Sequence, residues 1–503
     1  MTSAAPRAGW TLDLTRWPAA EAARHRSVLA VDESGRALML SDRAPDLLLL
    51  QAVESRLRQP LRWQQLPTAE IAPWLARAEG GARALDGLSG AGSPGPGDHS
   101  MGTALPELTL AGAGQAASPA VRWLDAVLFD ALQDGASDIH IERTPQGAVI
   151  RLRIDGVMQA LRSTDEPALA EAMVSRLKVM AELDIGERRL PQDGRFRLRA
   201  RGREVDFRLS IMPTLHGEDA VVRVLDRSSL QAGSGAITLV QLGYPEALAA
   251  EVLALARAPH GLLLVTGPTG SGKTTTLYAA IGGTENGSAK LVTIEDPVEY
   301  ALPGAAQVPV NERQGLSFAR GLRSILRHDP DRILVGEIRD AETAQIAVQA
   351  ALTGHLVFSS VHANHALDVL GRFSHMGLDL YNLSAALNAV LAQRLLRRLC
   401  EACAVTHEPT AAQRQALGSG EPLRRGMGCP ACRGTGYRGR LAVAELLRLD
   451  DTLRELIVAR APLSRMRQAA QDAGMQPLHA VALQAVRAGQ TTLDEVERVI
   501  AGH

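Results

Sequence analysis

The chain has 503 residues, with 54 Lys plus Arg against 55 Asp plus Glu and a formal net charge of -1, so no global positive field draws it toward nucleic acid. Aromatic residues make up only 3%, which leaves few platforms for stacking bases and gives the core to Leu, Val and Ala. No run reaches the ~18 apolar residues that span a bilayer, and Met1 to Leu14 lacks the charged start and apolar core of a signal peptide, so a cytoplasmic protein of about three or four domains is expected.

Residues 1–85 read as a small α+β module. From Arg24 to about Leu75 short apolar stretches such as Ser27 to Asp32 alternate with a helical pattern over Leu47 to Leu57. Trp63 and Trp74 are expected to fill its core or an interface, and its role is docking. Residues 86–118 are dominated by Gly, Ala, Ser and Pro without periodicity, the composition of a flexible linker that leaves the first module free to move.

The next unit, 119–227, opens on a helical pattern over Val121 to Asp134 and passes to strands at Ser137 to Glu142 and Ala148 to Ile154, the second ending at an Asp155-Gly156 turn. A helix over Ala168 to Leu183 and strands at Arg195 to Leu198, Glu204 to Leu209 and Ala220 to Leu225 complete it, with a turn at Arg201-Gly202. Arginines alternate along these strands, and each taken singly is as well explained by a solvated face as by a binding role.

A Gly/Ser-rich link (228–238) leads to residues 239–399, where a helix over Pro245 to Arg257 precedes the apolar run Leu262 to Thr266. Directly after it stands Gly267-Pro268-Thr269-Gly270-Ser271-Gly272-Lys273-Thr274-Thr275, which contains the Gly-x-x-x-x-Gly-Lys-Thr phosphate loop in a strand–loop–helix context. Its backbone N–H groups and the helix N-terminus form a concavity for phosphate oxygens, as ATP would supply. Lys273 brings a point charge to the β and γ phosphates, and Thr274 a hydroxyl to Mg²⁺.

Three further apolar runs each end in polar residues. Leu291 to Ile294 leads to Glu295-Asp-Pro-Val-Glu299, Arg332 to Val335 leads to Gly336-Glu337, and Leu356 to Ser359 leads to Ser360-Val-His362. Ligands of open α/β sheets bind outside the carboxyl ends of the strands, so this repetition predicts a parallel, doubly wound sheet with its site along one edge. Glu337 follows the Walker B strand and is expected to orient or deprotonate the attacking water. Glu295 and Glu299 either hold metal or water or satisfy neighbouring arginines. His355 and His362 are expected as γ-phosphate sensors, their place near a strand end weighing against a purely structural role.

All four cysteines fall in two Cys-x-x-Cys pairs, Cys400 with Cys403 and Cys429 with Cys432. Four thiolates so spaced make a closed, structural Zn²⁺ site in a subdomain over 400–440; two redox dithiols or a nucleic-acid-touching ribbon are the other readings. Arg394, Arg397 and Arg398 are read as the solvated end of a helix starting near Leu380, and Leu441 to Ile500 as a helical cap, residues 441–503.

Together these motifs resemble the secretion ATPase superfamily of type II secretion and type IV pilus assembly, over about Val121 to the C-terminus. The resemblance rests on Ser137-Asp-Ile-His140, Gln192-Asp-Gly-Arg195, the phosphate loop, the Thr293 to Tyr300 Asp box, Val335-Gly-Glu-Ile-Arg-Asp340, the Thr353-Gly-His355 to His362 His box and the tetracysteine. It implies a RecA-like P-loop domain after a PAS-like α+β domain, and a homo-hexamer in which each nucleotide is closed by arginines. By residue-wise match these are Arg208 and Arg223, with Arg323 and Arg327 of the Ser317 to Arg327 helix. It also implies ATP hydrolysis that powers pseudopilus assembly and export, ATP, Mg²⁺ and Zn²⁺ as cofactors, and docking of residues 1–85 on inner-membrane platform proteins.

The tetracysteine is similar to assembly ATPases rather than retraction motors, and the length favours type II secretion over pilus extension. The chain departs from the family at Phe358-Ser-Ser-Val361 and in its long linker. A hexameric DNA motor would need a basic track, and a nonenzymatic zinc scaffold would need neither Glu337 nor the arginines.

Overall fold

The computed structural model describes residues 10–31, 36–44, 47–57, 61–80, 107–108, 118–200, 202–225, 237–284 and 287–500. Most of the expected linker 86–118, the link 228–235 and Arg201 lie outside them. The chain forms two compact units, residues 1–228 and 229–503. Among the described residues no helix is long and apolar enough to cross a membrane.

The first unit holds two sheets. In the first, β1 (Thr11–Leu12), β2 (Ser27–Val31), β3 (Ala37–Ser41) and β4 (Arg62–Gln65) lie in that order, antiparallel except for the parallel β3–β4 pair. Helices Ala19–His25, Leu47–Leu57 and Thr68–Gly80 accompany it. Trp17 and Trp74 are buried, the indole of Trp17 donating to the Ser27 carbonyl at 3.1 Å, whereas Trp63 on β4 stays 40% exposed. Buried apolar residues of both sheets belong to one cluster.

The second sheet runs β5 (Glu107–Leu108), β9 (Gln192–Ala200), β10 (Arg203–Thr214), β11 (Gly217–Leu225), β6 (Asp138–Arg143), β7 (Ala148–Ile154), β8 (Val157–Thr164). Its strands alternate as a one-sided sheet requires: Phe196 and Leu198 are buried while Arg195, Arg197 and Arg199 are exposed. Helices Pro119–Gln133 and Pro167–Met180 pack together, the second also against β11. The β7–β8 turn puts Asp155 at φ +49° and Gly156 at φ +82°, the left-handed pair of a tight hairpin. β8 carries Gln159, Arg162 and Ser163 with little burial contrast, which hides it from the hydrophobic pattern. β5 lies inside the expected linker and adds a parallel edge to β9, with Leu108 5% exposed.

The second unit is built on a sheet ordered β14 (Ala305–Pro309), β13 (Leu291–Glu295), β15 (Arg332–Val335), β16 (Leu356–Val361), β12 (Gly261–Thr266), β17 (Leu387–Leu399), β20 (Tyr437–Arg448). All neighbours are parallel except β17–β20. Every residue of β12, β13 and β16 is buried, as strands covered on both faces demand.

Two expectations are corrected here. The helix from Leu380 stops at Ala386, and Arg394, Arg397 and Arg398 lie on a strand: β17 is buried on both faces, so its Leu- and Ala-rich run shows no strand alternation and reads as a helix former. Arg394 is 8% exposed and Arg397 is paired with the fully buried Glu495 at 2.7 Å, so neither is a solvated face. Likewise the first part of 441–503 is β20, and only then come helices Asp451–Val458, Leu463–Asp472, Leu478–Arg487 and Leu493–Val499. The cysteine module is thus an insertion between two paired strands, and it carries the antiparallel pair β18 (Ala404–His407) and β19 (Leu423–Gly426). Arg397 over the Tyr437 ring at 4.1 Å and a Tyr437–Thr492 hydroxyl contact of 2.6 Å hold it down.

Candidate active site

The chain leaves β12 through Gly267 at φ +149° and enters helix Lys273–Gly282 through Gly272 at φ +83°, conformations that disfavour a side chain. A Cβ on Gly267 would lie 2.6 Å from both the Gln393 carbonyl oxygen and Ser271 Oγ, so the loop is seated directly on β17. Gly272 gives the helix no side-chain cap, which leaves the first-turn amides and the dipole facing the loop. Ser271 is buried, and its hydroxyl has no hydrogen-bond partner among the described residues. A buried orphan donor, an uncapped helix start and a lysine fit a phosphate group.

Lys273 arches over this loop, donating from Nζ to the carbonyls of Gly267 at 3.0 Å and Pro268 at 3.2 Å. Burial lowers its pKa, Arg394 pushes the same way, and the Glu337 carboxylate opposes both. Thr274 and Thr275 stand half-buried in the first helical turn, and Pro268, Thr269 and Gly270 form the exposed crest.

The neighbouring strand ends are tied to the loop by short polar contacts. Gly336 N–H donates to the Ile294 carbonyl at 2.8 Å, and Ile338 N–H to the Ser360 carbonyl at 2.9 Å. Thr266 Oγ1 donates to the Ala363 carbonyl at 3.0 Å and accepts from the Ala363 N–H at 2.8 Å. Glu337 is thereby brought beside His362, whose Nε2 lies 3.4 Å from Oε2, while Oε1 is paired with Arg339 at 2.5 Å. Burial pulls the His362 pKa below its ordinary value, Lys273 adds to this, and Glu337 opposes it. The imidazole is therefore neutral near pH 7.

Other expected residues fare differently. Glu295 is 2% exposed and its carboxylate is taken up by Tyr278, by Thr293 Oγ1 at 2.6 Å and by Gln307 Nε2 at 3.1 Å, so neutral donors rather than arginines satisfy it. Burial, and then the bond to Glu295, push the Tyr278 phenol up and keep it a donor. Glu299 is exposed, and its charge acts on Tyr278 and Tyr300, whose rings meet edge to face at 4.5 Å.

His355 is not brought to the loop. It precedes β16, its carbonyl accepts from Gly261 N–H at 3.0 Å and its Nδ1 lies 3.0 Å from the Ala350 carbonyl. That is the start of β12, about 16 Å from Thr266 at the ~3.3 Å rise of a parallel strand. Both histidines flank the same strand, and only the parallel register with β12 tells which end faces the phosphates. Arg323 pairs with Glu342 at 2.5 Å and Arg327 donates to the Arg323 carbonyl at 2.8 Å.

In the first unit, Arg195, Arg208 and Arg223 stand abreast on β9, β10 and β11, and Asp138 on β6 continues the row, accepting from Arg223 Nε at 2.9 Å. The four cysteine sulfurs lie within 4.8 Å of one another, with Sγ–Sγ separations of 3.8 Å for Cys400–Cys429, 3.7 Å for Cys403–Cys432 and 3.7 Å for Cys429–Cys432. Zn–S bonds of ~2.3 Å in a tetrahedron require edges of ~3.8 Å, which these three separations match, so the donor set fits Zn²⁺. Although burial pushes the Cys432 thiol up, the amides of Cys429 and Gly436, with the neighbouring thiols, bring it down to about 6.

A family model described as "Type II/IV secretion system protein" matches residues 114–498. The chain belongs to that family. It is 42% identical over 487 residues to "Type II secretion system protein HxcR" of Pseudomonas aeruginosa, covering 96% of this chain and 98% of that one. It is 46% identical over 386 residues to "Type II secretion system ATPase E" of Vibrio cholerae, covering 76% and 75%. Among solved structures, the pilus retraction motor PilT with bound ADP aligns with a TM-score of 0.50 at 28% identity, covering 74% of this chain and 95% of that one. The ATPase DotB of Legionella pneumophila shares the fold, with a TM-score of 0.55 at 20% identity over 75% of this chain and 94% of that one.

Residues to which the sequence reading gave no chemical role also meet here. Arg339 holds Glu337, Arg394 donates to the Asn364 carbonyl at 3.0 Å, and Gln393 reaches under the loop. None of the three has a chemical role in the motifs, and the two on β17 are hidden because that strand carries a helix-like pattern.

Proposed function

We propose that this chain is a hexameric ATPase of a type II secretion system, hydrolysing ATP to power pseudopilus assembly and protein export. The observation that carries the reading is the convergence of Lys273, Glu337 and His362 at one end of parallel strands, beside an uncapped helix start and a buried orphan hydroxyl. In this reading the loop amides and Lys273 bind the β and γ phosphates, Glu337 accepts the proton of the attacking water, and neutral His362 fixes the carboxylate and senses the γ position. Thr274 would help to hold Mg²⁺, whose charge would offset that of the phosphates. Glu295 holds the Asp box to the helix carrying the phosphate loop, and Glu299 faces solvent next to it.

The closing arginines are Arg208 and Arg223, with Arg323 and Arg327 contributing charge from the ATPase unit. Support comes from the row of Arg195, Arg208 and Arg223 abreast on neighbouring strands, which gathers guanidinium groups able to donate to phosphate oxygens. The architecture is RecA-like after a PAS-like domain, with the N-terminal module docking on inner-membrane platform proteins. The tetracysteine would hold one structural Zn²⁺, which would fix the module between β17 and β20.

The test is specific ATPase activity of the full chain across a dilution series, alongside sedimentation. Activity that rises faster than linearly as hexamers form, without stimulation by long duplex DNA, supports the reading. Flat specific activity with a monomeric profile removes the hexamer, and no turnover at all removes the ATPase.

A further inference from the structure

The β12–β17 register pairs Thr266 with Ala392, so the chain turns into the phosphate loop directly beside Gln393. Gln393 is fully buried, and both ends of its amide are used. Nε2 donates to the Ser271 carbonyl at 2.6 Å, and Oε1 accepts from the Tyr244 hydroxyl at 2.7 Å. The same phenolic oxygen lies 3.1 Å from Thr276 Oγ1 on the helix that the loop opens. One buried amide–phenol pair therefore grips the phosphate loop from both sides, at Ser271 before the lysine and at Thr276 after it. Burial pushes the Tyr244 phenol up, so it is never an anion at physiological pH.

The amide orientation is fixed by this arrangement, because a flipped Gln393 would set its oxygen against the Ser271 carbonyl oxygen. A trans peptide points its C=O and its N–H in opposite directions. Drawing the Ser271 carbonyl inward toward Gln393 therefore turns the Gly272 N–H outward, to where phosphate oxygens are bound.

We propose that Gln393 and Tyr244 are positioning residues for the phosphate loop, holding the Ser271–Gly272 peptide so that its N–H faces the nucleotide phosphates. The inference deepens the ATPase reading and rests on it for the identity of the ligand. It extends the site to a strand 122 residues beyond the loop and to the segment before the first helix of the unit.

The experiment uses the full chain with Tyr244→Phe, Gln393→Leu and the double substitution, each checked for zinc content and thermal midpoint. Two readouts are taken: hydrogen exchange of peptides covering 267–276 in the nucleotide-free protein, and equilibrium binding of ATP with single-turnover hydrolysis. Tyr244→Phe removes both neutral hydrogen bonds of the phenol, to Gln393 and to Thr276, and is expected to weaken ATP binding about threefold to tenfold. Gln393→Leu leaves the Ser271 carbonyl without its buried donor and is expected to weaken binding on the order of tenfold to hundredfold.

Exchange of the loop should rise in both variants. The double variant should fall short of the sum of the two single effects, because the Tyr244–Gln393 bond is lost in either one. Unchanged loop exchange and ATP affinity in well-folded Tyr244→Phe and Gln393→Leu would overturn the proposal, as would strictly additive effects. Should Gln393→Leu fail to fold, Tyr244→Phe alone decides through the same two readouts. Failure of the ATPase reading shows separately, as wild-type protein that neither binds nor hydrolyses ATP, while loop exchange still reports whether the pair orders the loop.

Discussion

Glu337→Gln removes one negative charge from a point where Lys273, Arg339 and His362 all act, while keeping the shape of the side chain. Its oxygen can still accept from Arg339, and its new NH₂ can donate to the neutral imidazole of His362, so the strand end keeps its geometry. Arg339 is 64% exposed and water takes over much of its lost pairing, so little stability is at stake. Nucleotide affinity near pH 7 should stay within about threefold, less than one lost neutral hydrogen bond commonly costs.

Hydrolysis should fall by about 10²- to 10⁴-fold, the usual contribution of a positioned base, or roughly 3–5 kcal/mol on the barrier. Burial already lowers the Lys273 pKa, and Glu337 is the carboxylate that opposes the fall. In the variant Lys273 therefore loses its proton at lower pH, and ATP affinity should decline earlier than in wild type as pH rises. Equilibrium binding across alkaline pH and single-turnover hydrolysis measure the two effects. Binding and turnover falling together would make Glu337 a ligand or a structural group, and turnover within tenfold of wild type would remove the base.

Lys273→Ala should reduce hydrolysis to background, read as phosphate release; wild-type turnover would refute the phosphate-loop assignment. Arg208→Ala and Arg223→Ala should each lower kcat about 10²-fold or more with the fold intact, since loss of a charge-stabilising group commonly does so. Arg153 remains beside Asp138 at 3.7 Å after Arg223 is removed, so a large stability loss with unchanged kcat in the folded protein would argue for a structural role. Metal analysis should find about one Zn²⁺ per chain, and chelation should lower the thermal midpoint, because metal affinity adds to folding free energy. A zinc-free chain with four reduced thiols and an unchanged midpoint would rule the site out.

Chemistry that depends on contiguous residues is legible in the amino-acid sequence alone. The phosphate loop is a local backbone device, the two Cys-x-x-Cys knuckles are local metal clamps, and β7, β15 and the helix Leu47–Leu57 have the bounds their sequence patterns define. Alternation of arginines with Phe196 and Leu198 likewise marks a one-sided sheet. Each follows from short-range sterics or from the period of apolar residues, which the sequence itself carries.

What the tertiary structure decided is everything that depends on which strand lies beside which. Buried on both faces, β17 has no alternation to announce it, so Arg394, Arg397 and Gln393 could be placed only by its pairing with β12 and β20. Register with β12 sends His355 to the far edge and His362 to the phosphate loop, although both flank one six-residue strand. Glu295 finds Tyr278, Thr293 and Gln307 rather than an arginine, because burial selects partners by proximity in the fold and not by charge along the chain. The grip of Gln393 on Ser271 joins residues 122 positions apart, a distance over which no local pattern carries information and only sheet order does.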